Sequence, residues 1–311
     1  MGEFAEPLGR LAASPRLLVP LRRGNTVDGP RVRLPPGRVD FVPGVGEMFY
    51  RDTGRPRRRE QRGTVLLLHG WMVPSDPHWF RTFPTLAREG WRVLATDARG
   101  HGRGLRSIQR FRVSDCARDC AALISHLDCA PVTVVGYSMG GIIAQMLMYQ
   151  APELVRQAVL CATGCEFRTS LFMRTVWSSM SALQLGWRLA PVGFWAALAR
   201  LLGYTDPATA DWLVGELTRG APWDIAEAGR EIGRFDSRPW LAEVSVPSAV
   251  VVTTADLLVP PDRQRDLARR LGAPTIELEA DHMAPVSAPR RFHRALLTAL
   301  EVLDEPRAQA V

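Results

Sequence analysis

From residue 37 onward, apolar positions fall into two alternating patterns. Short apolar runs occur at TVLLL (64–68), WRVLAT (91–96), PVTVVG (131–136), VRQAVLCAT (155–163) and SAVVVTT (248–254), and with the alternating TIELEA (275–280) they read as strands. Between them lie stretches with helical spacing. These are HWFRTFPTLAREG (78–90), closed by Gly90, VSDCARDCAALISHL (113–127), with Ser114 and Asp115 as capping candidates, and GIIAQMLMYQAP (141–152), stopped at Pro152. PDRQRDLARRLG (261–272) and a last helix from about Pro289 to Leu303 complete the series. Upstream, GRVDFVPGVGEMFYRD (37–52) reads as two short strands turned at Pro43-Gly44. Doubly apolar strands alternating with helices predict an α/β fold: a mostly parallel central sheet flanked by helices on both faces.

The rhythm breaks between residues 166 and 240. That stretch holds about four helix-like segments and no convincing strand, with Trp177, Trp187, Trp195, Trp212, Trp223 and Trp240 among them. An all-helical insertion in such a fold predicts a cap over the carboxyl ends of the strands, where these sheets place their sites. Residues 1–36, rich in Arg, Pro and Gly, read as an irregular extension. The expected organisation is therefore this extension, one core built from 37–165 and 241–304, and a helical cap at 166–240.

Composition narrows the class. A chain of 311 residues that is 46% hydrophobic supplies a sizeable core, and it has no run of eighteen apolar residues. Its start lacks the apolar segment of a secretory signal, and Glu6 stands where a myristoylation signal needs Ser or Thr. Five cysteines, Cys116, Cys120, Cys129, Cys161 and Cys165, form no CxxC pair and read as reduced, buried thiols in a cytoplasmic protein. The net charge of +7 would suggest nucleic acid if it were spread over the chain. Through Arg62, however, thirteen arginines face seven acidic residues, a balance of +6 that leaves +1 for the rest. All 39 basic residues are arginine, and RPRRRE (55–60) reads as a solvated loop. No nucleic-acid partner, transmembrane segment, metal or organic cofactor is expected, and the oligomeric state is open.

One motif carries chemistry. VTVVGYSMGG (132–141) sets G-x-S-x-G directly between a strand and a helix, the context in which it makes a nucleophile elbow. The turn strains Ser138, and side chains at 136 and 140 would collide with neighbouring elements. The amide of Met139, at the helix amino end, faces the place where an oxyanion would form. A serine needs a base held by an acid. Among six histidines, His282 follows the last apolar strand and emerges at the same sheet edge as Ser138, while His69 and His101 compete from glycine-flanked loops. Asp256 follows the penultimate strand, and Glu166, just after the sixth, is its rival. The chain order Ser138, Asp256, His282 is the serine–acid–histidine order of this architecture.

With these motifs in place, the sequence resembles the α/β-hydrolase superfamily across residues 37–304, within its group of capped serine esterases, haloperoxidase-like proteins and C–C hydrolases. LLLHGW (66–71) looks like that family's His-Gly loop, which implies the amide of Trp71 as a second oxyanion donor beside that of Met139. DARGHG (97–102) looks like its loop after the fourth strand, where Asp97, Arg99 and His101 would hold structure rather than react. Serine at the elbow points away from related enzymes with aspartate there, so Tyr204 reads as packing. Asp115 and Asp119 read as capping and solvating their helix. The resemblance implies a serine hydrolase that cleaves carboxylic esters of small to medium apolar substrates through an acyl-enzyme. C–C bond hydrolysis or acyl transfer with the same triad, or a ligand-sensing module, are the alternatives. If several tryptophans of the cap line a closed pocket, the substrate is a neutral, apolar ester.

Overall fold

The computed structural model describes residues 34–56, 61–167, 175, 177–189, 191–201 and 207–305. The expectations for residues 1–33, for the arginines at 57–59 and for Tyr204 lie outside the described residues.

Eight strands form one sheet: β1 Gly37–Val42, β2 Gly46–Asp52, β3 Gly63–Leu68, β4 Trp91–Thr96, β5 Val132–Tyr137, β6 Val155–Cys161, β7 Ser248–Thr253 and β8 Thr275–Leu278, in the spatial order β1-β2-β4-β3-β5-β6-β7-β8. β1 and β2 pair antiparallel, as does β2 with β4, and the six strands from β4 to β8 run parallel. Alternating residues explain why these strands are apolar throughout. Leu66, Leu68, Val134, Leu160 and Val250 pack on one face, and Val65, Leu67, Val135, Val159 and Val251 on the other. Each face buries its own helices, and each enclosed aliphatic side chain contributes about 1.5–3 kcal/mol.

Among the described residues the helices are α1 Ser75–Trp79, α2 Phe83–Arg88, α3 Val113–His126, α4 Met139–Gln150, α5 Met180–Leu189, α6 Pro191–Leu201, α7 Pro207–Leu217, α8 Pro222–Ile232, α9 Pro261–Leu271, α10 Ala284–Ser287 and α11 Pro289–Asp304. Helices α3 and α4 cover the first face through Leu123, Ile142 and Leu147. Helices α2 and α11 cover the second through Phe83, Leu86, Phe292 and Leu296.

Two local expectations are corrected. The stretch 78–90 is not one helix: α1 ends at Trp79 and α2 starts at Phe83. Pro84 has no N–H to give the carbonyl of Phe80 and its ring crowds that carbonyl, so the turn cannot continue. Neither Ser114 nor Asp115 caps α3, whose N-cap is Arg112 with no side-chain cap bond. Asp115 and Asp119 are buried rather than solvating. Asp119 takes a two-pronged contact from Arg99 (Oδ1 at 2.7 Å), and Asp115 pairs with Arg118.

Between β6 and β7, helices α5–α8 build a separate small core of Met180, Trp187, Trp195, Leu213, Leu217 and Ile225. Trp187 and Trp195 stack there at 5.7 Å between ring centroids, while Trp240 packs on Tyr149 at 4.7 Å and Trp223 is exposed. Much of the aromatic excess of this stretch is thus internal packing. The chain leaving β6 and the chain returning to β7 meet: Ser237 N–H donates to the Cys165 carbonyl at 2.9 Å beside a bridge between Glu166 and Asp236. Buried Gln145 of α4 holds the junction, accepting from Ser237 Oγ at 2.8 Å and donating to the Gly164 carbonyl at 3.2 Å.

A second tie joins the insertion to the core. Arg103, after β4, makes a bidentate pair with Glu216 of α7 at 2.7 and 2.9 Å and also reaches Asp76 at 3.2 Å.

Candidate active site

Chain order in the sheet reverses between β3 and β5, which places the loops after these neighbouring strands at a topological switch point. Ser138 follows β5 and is the N-cap of α4, with φ 52° and ψ −113°. That region is costly for a residue with a Cβ. Three contacts hold it there. Ser138 N–H donates to the Cys161 carbonyl at 2.9 Å, and its own carbonyl accepts from Thr163 Oγ1 and Gly141 N–H, each at 2.9 Å. The flanking glycines supply the room. A Cβ on Gly140 would run into the Leu68 carbonyl, one on Gly136 into the backbone of Gly140, and one on Gly141 would lie 2.5 Å from Thr163 Cγ2.

Ser138 Oγ lies 3.0 Å from His282 Nε2, and His282 Nδ1 lies 2.7 Å from Asp256 Oδ2. Because a carboxylate only accepts, Nδ1–H donates to it and Nε2 is left to accept the serine proton. Asp256 is itself enclosed and saturated. Its Oδ1 accepts from the amides of Leu258 and Val259 at 2.9 Å each, and its Oδ2 also accepts from Thr253 Oγ1 at 2.8 Å and Gln264 Nε2 at 3.2 Å. Asp256 therefore cannot swing away without stranding several donors.

The rivals go elsewhere. Glu166 faces Arg238 at 3.1 Å and Arg263 at 3.3 Å. His69 donates from Nδ1 to the Gly70 carbonyl at 2.7 Å and accepts the Ala98 N–H on Nε2 at 2.9 Å, and burial pushes its pKa down. His101 bonds the Arg99 carbonyl at 3.0 Å, and Asp97 accepts the amides of Ser75 and Arg103. His78 is buried between Trp79 and Tyr137, with Nε2 lacking a partner among the described residues.

The two oxyanion candidates border the serine. Met139 is the first residue of α4, so its N–H has no carbonyl within the helix. Trp71 follows Gly70, whose Cβ position would lie 3.6 Å from Ser138 Cβ.

Three supporting residues escape a reading by motif. Thr253 and Gln264 brace Asp256, and the only local sign is a polar Gln264 on the apolar stripe of α9 with Leu267 and Ala268. Tyr137, whose phenol burial pushes well above its ordinary pKa, donates to the His282 carbonyl at 3.0 Å. Nothing local marks it.

A sequence profile of the alpha/beta hydrolase fold matches residues 63–202. A protein of Mycobacterium tuberculosis whose name reads "Putative non-heme bromoperoxidase BpoC" is 31% identical over 230 residues, which span 69% of this chain and 84% of its own. The chain belongs to the alpha/beta hydrolase family. Another relative of this hydrolase is the 3-oxoadipate enol-lactonase 2 of Acinetobacter baylyi, 26% identical over 208 residues, 66% of this chain and 76% of that one. The bromoperoxidase structure from Bacillus anthracis shares the fold at a TM-score of 0.72 and 17% identity, covering 86% of this chain and all of that one. Among the described residues no helix is long and apolar enough to cross a membrane.

Proposed function

We propose that this chain is a serine hydrolase that cleaves carboxylic esters of small to medium apolar substrates through an acyl-enzyme. The observation that carries the reading is the hydrogen-bonded series from Ser138 Oγ through His282 to Asp256, ending on a serine held in a strained backbone. Ser138 Oγ attacks the ester carbonyl carbon as its proton passes to His282 Nε2, and the amides of Trp71 and Met139 stabilise the oxyanion. Collapse breaks the carbon–oxygen bond and His282 gives its proton to the departing alcohol. Water then attacks the acyl-enzyme by the same route and releases the acid. Asp256 keeps the imidazole in the required tautomer throughout.

Two further points support the substrate class. The names of an enol-lactonase among the relatives and of methyl ester esterases fit ester cleavage, since a lactone is a cyclic ester. Trp71, Met72, Val73 and Trp177, all part-exposed, put apolar surface where the loop after β3 meets the inserted helices, which act in this reading as a cap. A fluorophosphonate tests the assignment: it should label the chain once, at Ser138, and Ser138→Ala should take no label and hydrolyse no ester. Undiminished labelling of that variant rejects the reading. Catalytic efficiency across acetate to palmitate esters tests the substrate class, with efficiency rising with acyl length until the site is filled and then falling.

A further inference from the structure

Trp71 stands where the loop after β3 meets the insertion. Its indole N–H donates to the carbonyl of Ile225, inside α8, at 2.7 Å, using a lone pair beyond the one the helix needs. One turn on, α8 carries Gly229, a poor residue for a helix interior. A Cβ there would lie 2.8 Å from Trp71 Cζ2 and 2.6 Å from Met180 Sδ, so the helix approaches the indole as closely as a bare backbone allows. Trp177 and Trp187 present ring edges at 5.4 and 6.2 Å. The indole is thus held by groups of the insertion.

The other end of the same residue belongs to the core. His69, the first residue after β3, fixes the loop by its bonds to Gly70 and Ala98, and Gly70 runs alongside Ser138. Helix α8 is in turn registered to the core, through Ala221 N–H on the Gly100 carbonyl at 2.8 Å and Phe111 N–H on Glu227 Oε2 at 2.9 Å.

We infer that Trp71 is a strut by which α8, through Ile225 and Gly229, positions the oxyanion amide that the same residue carries. Ile225 and Gly229 are positioning residues that never touch substrate. Seating of the inserted helices and completion of the oxyanion site are then one event. The inference rests on the ester-hydrolase reading above.

Two variants test it from opposite sides. Trp71→Phe removes the indole N–H and keeps an aromatic ring, while Gly229→Ala drives a methyl against an unaltered Trp71. Gly215→Ala, on α7, is the control, since its added Cβ meets nothing within 4 Å. The readout is kcat/KM for an oxygen ester against the matching thionoester, whose sulfur draws little help from N–H donors. Both variants should lose about tenfold or more on the oxygen ester, a fraction of what deleting an oxyanion donor costs, with KM little changed. The ratio of ester to thionoester activity should fall in step, the affinity for a trifluoromethyl ketone should weaken in parallel, and Gly215→Ala should match the wild type. A wild-type protein that is labelled at Ser138 and active, with variant ratios unchanged or both substrates lost equally, overturns the strut alone. A wild type that takes no label and turns over no ester overturns the esterase reading and the strut together. Should Gly229→Ala fail to fold, Trp71→Phe decides by the same criteria.

Discussion

The Tyr137 hydroxyl donates to the main-chain carbonyl of His282 at 3.0 Å, tying the residue before the proposed nucleophile to the proposed base that faces it. The rings of the two residues also meet edge to face at 5.8 Å. Tyr137→Phe keeps the ring contact and removes only the hydroxyl, leaving a carbonyl without its partner at a cost of about 1–3 kcal/mol. The expected outcome is a kcat lower by roughly that energy's smaller end, about three- to tenfold, with KM unchanged. Steady-state kinetics with a chromogenic ester check it, and an unaltered kcat would mean that other contacts hold the loop.

Asp256 and Glu166 separate by the same measurement. Asp256→Asn deprives His282 of its charge partner and favours the wrong tautomer, so the turnover number should fall on the order of a thousandfold or more. Glu166→Gln touches only the contacts to Arg238 and Arg263 and should leave kcat within about twofold, as an exposed ion pair implies. The reverse result would move the acid to the loop after β6.

Acid should destabilise the fold earlier than carboxylate chemistry alone would. Burial depresses His78 well below its ordinary value, His101 to about 3 and His293 to about 4. These rings stay neutral in the folded chain while the unfolded chain binds protons from about pH 6.5 downward. Stability is therefore complete above that pH and falls as pH drops toward the folded values, by about 1.4 kcal/mol per pH unit for each fully buried ring. Urea midpoints between pH 7 and 4.5 for the wild type and His78→Phe check it. The variant should have the shallower slope by about one proton, and equal slopes would show that His78 is not held neutral.

The elbow admits no added methyl at Gly140. Gly140→Ala sets a Cβ against the Leu68 carbonyl, so overpacking should cost about 3 kcal/mol or more and lower the thermal midpoint by several degrees. Gly186→Ala, where a Cβ meets nothing within 4 Å, should hold or raise the midpoint through helix propensity alone. Differential scanning calorimetry of the two variants gives the comparison.

The sheet is readable in the sequence because β3 to β7 are buried on both faces, which leaves long apolar runs such as Val65 to Leu68 with no other stable use. Ser138, Asp256 and His282 could be singled out because each follows a strand and so reaches one sheet edge. What escaped depends on partners chosen by packing. Arg103 and Glu216 lie 113 positions apart, and the Trp71 indole and the Ile225 carbonyl 154 apart. Asp115 and Asp119 look like solvated helix residues until Arg99, arriving from the loop after β4, pairs with Asp119 and comes within 3.9 Å of Asp115. No local pattern encodes such meetings, since they follow from how preformed helices settle on the sheet.

The junction of Cys165 with Ser237 fixes the two points at which the inserted segment leaves and rejoins the sheet. Since that gap is already closed by a main-chain hydrogen bond and braced by Gln145, a shorter or longer segment grafted there would meet the same two anchor points. Closing a flexible loop costs only about 0.6 kcal/mol more for each doubling of its length, so the length of a foreign insert should matter less than whether it replaces Ala228 and Ile232 in the core and Glu216 opposite Arg103. A chimera carrying another insert would keep a folded chassis and a serine within reach of its histidine. It would lose the lodging of the Trp71 indole, and so transplantation should separate the ability to fold from the ability to react.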